Sequence, residues 1–299
     1  MFKRILLPLD GSELAEITLP YGEELARRLG SELVLVHVRS QERQEYEHIH
    51  QVYLDRLAET VESNFSSGQL TAKKVKVTTR VESGEPQESI CKLVDDNNVD
   101  LIIMTAVGIS GLKIGKTLGS VADHVCRTVP IPVMLIRPQK GKQAKKKEQL
   151  INRILIPLDG SKLSKLALPI GEELASKLKV SAVLFRMANM VRLFEDDAET
   201  GIYIDYATLN DNEKKRVDAE MAALEKELKK KHIDVSHLVT TGYDAAEDII
   251  EASKKTGADL MVMSTHGRSG LGRFAFGSVA EKILRHGEIP LLLVNARAG

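Results

Sequence analysis

The chain has 299 residues, a hydrophobic fraction of 43% and a formal net charge of +0, so it can form two hydrophobic cores and lacks the composition of a disordered protein. A neutral chain is not expected to be a general nucleic-acid-binding protein, because such proteins present a basic surface. With two cysteines and no apolar run long enough to cross a membrane, it is expected to be cytoplasmic, with no membrane or nucleic-acid partner.

The sequence contains two copies of one unit. Residues 4–29 align without gaps on residues 153–178, and 17 of those 26 positions are identical. Farther along, Gly-Ser-Val-Ala occurs at 119–122 and again at 277–280. A unit of this size can fold as a domain, so the chain is predicted to be a tandem repeat of two domains.

The boundaries of the two domains follow from the alignment. The first repeat is predicted to span residues 1–138 and the second residues 153–299. Between them, residues 139–152 contain five lysines and few apolar residues. That composition predicts an exposed linker.

In chain order, apolar strand-like runs alternate with amphipathic helix patterns. The predicted strands of the first repeat are Ile5–Leu9, Leu33–Val38, Val75–Arg80, Leu101–Thr105 and Val133–Ile136. A helix is expected after each of the first four strands. The signals for these helices are Ser12 as an N-cap, Leu54, Leu57 and Val61 at helical spacing, Pro86 at a first helical position, and Gly119-Ser120. Strict alternation predicts an α/β fold with a mostly parallel, doubly wound sheet.

The second repeat has the same order of elements. Its second helix is indicated by the apolar spacing over 217–228, and its third by Asp244 as an N-cap with Glu247 three residues later. Pro20 and Pro169 fall inside the first helix of each repeat. Since the apolar spacing continues beyond them, we expect a kink in one helix at each position rather than two helices.

The first strand of the second repeat ends in Pro157-Leu158-Asp159-Gly160-Ser161. In open parallel sheets, ligands bind at the carboxyl ends of strands where the strand order reverses. Asp159 is expected at such an end, where it could accept a hydrogen bond from an adenine amino group or a ribose hydroxyl. The alternative is that Asp159 only supports the turn formed with Gly160 and Ser161.

The second candidate is the stretch from Met263 to Ser278, which holds four glycines between an apolar run and a helix start. Glycines let backbone N–H groups approach an anion, and the start of a helix adds unpaired donors and a partial positive charge. His266, Arg268 and Arg273 add donors or positive charge nearby. This arrangement predicts phosphate binding.

These two motifs together resemble those of the universal stress protein family. They are Ile-Leu-Ile-Pro-Leu-Asp-Gly-Ser at the first strand, and Ser264-Thr-His-Gly267, nine residues, then Gly277-Ser278. The resemblance covers both repeats and implies, in each, a five-stranded parallel sheet in the order 3-2-1-4-5. It also implies ATP binding, with or without magnesium. The resemblance further implies that the two repeats pack as a pseudo-symmetric pair and that the chain forms a homo-oligomer such as a dimer.

The resemblance assigns parts of an adenine nucleotide to particular residues. Asp159 is implied to contact adenine or ribose, with Pro157 and Leu158 beside it, backbone near Met187 to line the adenine, and Met263 and Ser264 to line the ribose. The phosphates would be met by Gly267, Gly277, Ser278, Val279 and Ala280, with His266 and Arg273 as nearby donors. Ser264 stands where the family pattern has its first glycine.

The first repeat departs further from the pattern. Thr105 and Val107 replace Ser264 and His266, and ten residues rather than nine separate Gly108 from Gly119. The second repeat is therefore expected to hold the nucleotide, while the first binds weakly, is empty or has a structural role.

No set of residues predicts efficient catalysis, since the loop lacks a carboxylate to orient a water or hold magnesium. We therefore expect a stress-response protein that binds ATP and acts as a nucleotide-dependent switch. The alternatives are a slow ATPase or nucleotidyl-transferring enzyme, and a scaffold that binds no ligand. An insertion over 189–210 in the second repeat could be a lid, a partner surface or an ordered flap.

Overall fold

The computed structural model of the chain describes residues 2–39, 47–66, 75–108, 118–138, 149–190, 205–266 and 276–295. Most of the predicted linker and insertion lie outside these residues, so their structural roles stay predictions. The strands of the first repeat are β1 (Arg4–Pro8), β2 (Glu32–Arg39), β3 (Val77–Ser83), β4 (Leu101–Thr105) and β5 (Val133–Ile136). Those of the second are β6 (Arg153–Pro157), β7 (Ser181–Asn189), β8 (Val235–Gly242), β9 (Leu260–Ser264) and β10 (Leu291–Val294).

Helices connect these strands in the predicted alternation. In the first repeat they are α1 (Glu13–Glu16), α2 (Leu19–Leu29), α3 (Glu47–Ser66), α4 (Pro86–Asp96) and α5 (Ser120–Thr128). In the second they are α6 (Ala167–Leu178), preceded by a 3-10 turn at Ser164–Leu166, then α7 (Tyr206–Lys230), α8 (Ala245–Thr256) and α9 (Ser278–His286). None of the described helices combines the length and apolarity that a membrane span requires.

The strand order 3-2-1-4-5 is confirmed in each repeat, and the two halves join into one ten-stranded sheet, β3-β2-β1-β4-β5-β10-β9-β6-β7-β8. Pairs within each half are parallel, whereas β5 and β10 pair antiparallel, with Leu135 opposite Leu291 and Val133 opposite Leu293. One apolar core lies between the sheet and helices α2, α3, α6 and α7, and a second lies between the other face and α4, α5, α8 and α9. The chain is thus a pseudo-symmetric pair of doubly wound repeats.

A polar contact reinforces the junction between the repeats. Glu24 on α2 is 5% exposed and accepts hydrogen bonds from the backbone amides of Leu150, at 2.6 Å, and Ile151, at 3.3 Å. Arg28, one turn later, donates to Glu24 at 2.6 Å and also to the carbonyls of Ile151 and Leu178. These bonds satisfy a buried carboxylate that would otherwise be costly.

The expected kink at the prolines is wrong. In the first repeat α1 ends at Glu16 and α2 begins at Leu19, so Pro20 lies in the first turn of a new helix. In the second, Pro169 lies in the first turn of α6 after the 3-10 turn. The N–H groups of the first turn have no intrahelical partner, so a proline there costs no hydrogen bond. Starting a new helix just before the proline also avoids the clash that its ring would cause in a helix interior.

Different side chains support the turn after the first strand in each repeat. Arg186 on β7 is 6% exposed and donates to Glu220 of α7 at 2.5 Å. Its guanidinium lies so close to Gly160 that a Cβ there would be 2.5 Å from Nη2. The position of Arg186 corresponds to His37 on β2, whose Nδ1 donates to the Leu9 carbonyl at 2.8 Å.

Replacing Gly160 by alanine should destabilise the protein more than replacing Gly11. Both glycines have left-handed backbone, with φ of 85° and 83°, but a Cβ at Gly11 meets nothing within 4 Å. Gly11→Ala should therefore cost only the backbone strain, about 1 kcal/mol. Gly160→Ala must also displace a buried, ion-paired arginine, which should add about 1–2 kcal/mol. Urea denaturation of the two variants measures the difference, and equal losses would contradict the packing described for Arg186.

His37 should make stability depend on pH. Burial lowers its pKa, and the nearby charge of His50 lowers it further, although the hydrogen bond to Leu9 and the charge of Asp10 oppose the shift. The His50 ring is stacked on His37 at 4.2 Å, and Tyr53 meets His37 edge-on. His37 binds a proton less readily in the folded state than in the unfolded chain, where its pKa is about 6.5. As the pH drops, the unfolded chain therefore takes up more protons than the folded protein does. The free energy of unfolding should then fall as pH drops through that value.

The test compares wild-type protein with His37→Asn by urea denaturation at pH 7.5 and 5.5. Asn can still donate to Leu9, so the variant should lose less stability on acidification than wild type. His286, exposed at the end of α9, provides the control variant His286→Asn. A pH dependence that survives in His37→Asn would assign it to other groups.

Candidate functional site

A cleft with a volume of about 290 Å³ opens beside the carboxyl ends of β6 and β9. From β6 the chain proceeds to β7 on one side, whereas β9 lies on the other side of β6. The cleft is therefore at the point where the strand order reverses, which is the usual ligand position in an open parallel sheet. The residues that line it are Pro157, Leu158, Asp159, Ser164, Phe185, Met187, Asn189, Ala245, Ile249, Met263, Ser264, Thr265, His266, Gly277, Ser278, Val279 and Ala280.

Every predicted site residue that the structure describes lines this one cleft. The structure brings together three segments that are far apart in sequence, namely the ends of β6, β7 and β9, with the start of α9. Gly267 and Arg273 lie outside the described residues, so their place in the site stays a prediction.

Sequence reasoning missed the wall formed by α8. Ala245 and Ile249 are one helical turn apart and both line the cleft, together with Phe185 from β7. Phe185 alternates with Met187 along the strand, so it could have been found from the period of two. The contribution of α8 had no such signal, because helical spacing identifies a buried face but not which pocket that face borders.

Asp159 supports the turn after β6 and also lines the cleft. Its Oδ1 accepts from the Ser161 amide at 2.8 Å, and its own amide donates to the hydroxyl of Ser164 at 3.3 Å. Ser161 in turn accepts from the Ser164 amide at 3.0 Å. The turn is thus held by short-range bonds, and these present the carboxylate of Asp159 to the cleft.

The start of α9 presents backbone donors to the cleft. Its N-cap is Gly277, which has no side chain with which to cap the helix. The amides of the first turn, those of Ser278, Val279 and Ala280, have no intrahelical carbonyl to meet. Together with the helix dipole they favour an anion at this end.

Gly277 itself has a different role from the one expected. Its amide donates to the Thr265 carbonyl at 3.0 Å, and the Thr265 amide donates to the Val294 carbonyl at 3.0 Å. The Gly277 N–H is therefore used inside the protein and does not meet a phosphate in this conformation. Those two bonds fasten the end of β9 to the start of α9.

His266 brings an imidazole to the cleft. Its Nδ1 is 3.0 Å from the Thr265 hydroxyl, and its carbonyl accepts from the Ser264 hydroxyl at 2.5 Å. Within the described part of the chain, its buried Nε2 has no hydrogen-bond partner. A buried polar atom without a partner is costly, so this nitrogen is suited to a ligand that supplies one.

An ion-pair network ties together the two helices that wall the cleft. Lys282 on α9 contacts Asp244 at 2.5 Å and Glu247 at 2.9 Å. Asp244 also caps α8 by accepting from the amides of Ala246 and Glu247, as the sequence predicted. The hydrogen bond from Lys282 is the main reason why the pKa of Asp244 is lowered. The start of α8 is thereby held against α9.

In the first repeat, the turn after β1 and the start of α5 make bonds like those of the second. Asp10 accepts from the amide of Ser12 at 3.0 Å, and Gly119, like Gly277, precedes its helix and donates to a backbone carbonyl, that of Ala106, at 2.8 Å. However, a Cβ on Gly108 would lie 3.1 Å from the Asp10 carboxylate. The loop after β4 therefore lies directly against Asp10.

Comparison with known proteins agrees with the two-repeat organisation. Universal stress protein Slr1230 of Synechocystis is 24% identical over 313 residues, which cover 97% of this chain and 99% of that protein. Universal stress protein MJ0577 of Methanocaldococcus jannaschii is 28% identical over 156 residues, covering 46% of this chain and 96% of that protein. A crystal structure of a universal stress protein from Archaeoglobus fulgidus has the same fold, with a TM-score of 0.66 at 18% identity and coverage of 98% and 96%.

The sequence model of one family accounts for nearly the whole chain and matches it twice. The matched segments are residues 1–137 and 151–295. The chain therefore belongs to the universal stress protein family and carries two of its domains in tandem.

Proposed function

We propose that the cleft of the second repeat binds an adenine nucleotide, with ATP as the favoured ligand, and that the protein is a nucleotide-dependent switch of the stress response. One observation carries this proposal: the first-turn amides of α9 and the carboxylate of Asp159 border the same cleft. An anion-binding helix start and a hydrogen-bond acceptor within one pocket match the two ends of a nucleotide.

The phosphate end of the ligand belongs at α9. The amides of Ser278, Val279 and Ala280, with the Ser278 hydroxyl, provide donors that can bind an anion without breaking an intrahelical hydrogen bond. The Nε2 atom of His266 is a further group suited to a ribose or phosphate oxygen. Gly267 and Arg273 are proposed to add contacts here.

The base and ribose belong between β6, β7 and α8. Phe185, Met187, Ile249 and Met263 supply apolar surface around the Asp159 carboxylate. A volume of about 290 Å³ is at the small end of the range for ligand pockets, about 300–1,000 Å³. It therefore suits a nucleoside, with its phosphate tail at the rim.

Magnesium is not needed to explain the site. Among the described residues of the cleft wall, Asp159 is the single carboxylate, and it belongs to the proposed base and ribose end. No group of three or more metal-binding side chains occurs among the described residues. An ion accompanying ATP would therefore be held mainly by the phosphates and water.

The same chemistry favours binding over turnover. Among the described lining residues, Asp159 and His266 are the side chains that could act as a base, whereas phosphoryl transfer normally uses several charged groups. A slow ATPase or nucleotidyl transferase is the alternative. Phosphate release above a buffer control that disappears in Asp159→Asn would favour that enzyme.

The direct test is to denature the purified protein, analyse the released nucleotide, and measure the thermal shift on adding ATP. Bound adenylate, or a rise in Tm with ATP, is expected from ligand stabilisation of the folded state. Absence of both would leave a scaffold that binds no nucleotide.

A charge placed at the start of α9 should separate ligand binding from stability. Ser278→Glu puts a carboxylate among the proposed phosphate donors, so it should weaken ATP binding at least about tenfold by repulsion. A negative charge in the first turn of a helix is favourable, so the free energy of unfolding should be unchanged or higher by about 0.3–1 kcal/mol.

The matched control is Ser120→Glu, at the equivalent start of α5 in the first repeat. It should give the same small change in stability with unchanged ATP affinity, both measured by calorimetry. If Ser278→Glu binds ATP as wild type does, the nucleotide does not use the start of α9. If Ser120→Glu weakens binding equally, the first repeat holds the nucleotide.

A further inference from the structure

The first repeat reaches the phosphate end of the cleft through the C-terminal end of α5. The Cζ atom of Arg127 lies over the ring of Phe276, 4.3 Å from its centroid. Phe276 directly precedes Gly277, the N-cap of α9. A guanidinium over an aromatic face at this distance is attractive, so the contact restrains the residue from which α9 starts.

Arg127 is itself held in place. Its Nε and Nη2 atoms each donate to a different oxygen of Asp123 at 2.8 Å, so the guanidinium is fixed as a planar fork. The pKa of Arg127 is raised, first by this bond to Asp123 and also by the charge of Glu281 on α9. Both the ring contact and this charge link α5 to the first turn of α9.

A second contact braces the other side of the same region. The buried side chain of Asn295 donates to the Val129 carbonyl, at the C-terminal end of α5, at 2.8 Å. Asn295 follows Val294, whose carbonyl accepts from the Thr265 amide at 3.0 Å. The end of α5 thus contacts the second repeat beside the end of β9 and beside the start of α9.

Pseudo-symmetry provides an internal comparison. Arg285 on α9 corresponds to Arg127 on α5, and Leu118 corresponds to Phe276. Arg285 donates a hydrogen bond to Glu281 at 2.6 Å, and its side chain is 53% exposed, against 28% for Arg127. Leu118 offers no aromatic ring. The cation–aromatic contact is therefore made at the start of α9, beside the cleft. At the equivalent start of α5, the residue in the place of Phe276 is aliphatic, so Arg285 cannot make the same contact there.

We propose that Arg127 is a positioning residue for the nucleotide site of the other repeat. By holding Phe276, it holds the amides of Ser278, Val279 and Ala280 in the orientation that meets the phosphates. The inference rests on the proposed nucleotide function for its effect on affinity, but not for its effect on the start of α9. It gives the first repeat a role in the site even if its own nucleotide motif binds nothing.

The affinity test uses the full chain and titration calorimetry with ATP. Arg127→Ala and Phe276→Leu should each weaken binding about fivefold, the size expected for one partly buried cation–aromatic contact. The double variant should lose no more than either single variant, because both remove the same interaction. Arg127→Lys should recover part of the loss, since an ammonium can still lie over the ring. The control Arg285→Ala should bind as wild type does.

Hydrogen exchange measured without ligand tests the positioning role of Arg127 independently of ATP binding. Amides over 276–281 should exchange faster in Arg127→Ala and Phe276→Leu than in wild type, with no change in Arg285→Ala. Unchanged exchange in Arg127→Ala would overturn the positioning role whether or not ATP binds. If wild-type protein fails to bind ATP, the proposed function is wrong, and the exchange result alone then decides whether Arg127 holds the start of α9.

Discussion

The antiparallel pairing of β5 with β10 determines where the other parts of the molecule lie. With Met134 opposite Leu292, the two five-stranded halves run in opposite directions within one sheet. The carboxyl ends of the strands in one repeat therefore lie at the same edge as the amino ends of those in the other. As a result, the last turn of α5 comes to the first turn of α9, and a helix of one repeat becomes part of the surroundings of the other repeat's cleft.

The two repeats share the same backbone fold, but different side chains support equivalent turns in it. The turn after the first strand is held from one face of the sheet by His37 in the first repeat and by Arg186 in the second. The partners on the neighbouring helices differ accordingly: Tyr53 meets the His37 ring, whereas Glu220 pairs with Arg186. A cationic side chain requires an anionic partner when it is buried, so each replacement on the strand goes with a matching one on the helix.

Much of this arrangement could be predicted from sequence, because it depends on local patterns. The strand order, the cap at Asp244 and the convergence of Asp159 with the start of α9 all follow from periodicity, helix signals and the resemblance of the motifs. The split of the first helix at Pro20 was missed because the apolar spacing continues through the break. The role of Gly277 as an internal donor, the α8 wall and the contact between Arg127 and Phe276 depend on tertiary neighbours, which no window of sequence contains.

A helix start alone does not distinguish the two repeats as ligand sites. Gly119 and Gly277 are both N-caps without side chains, and both donate to a carbonyl at the end of the preceding strand segment. What differs is the surroundings. Among the described residues, the backbone at Gly108 lies against the Asp10 carboxylate in the first repeat. In the second repeat, Asp159 lines a cleft, and an arginine from the other repeat contacts the aromatic residue before the helix start. Gene duplication within one chain permits this asymmetry, because each copy of an element can change independently, which identical subunits of a symmetric dimer cannot do.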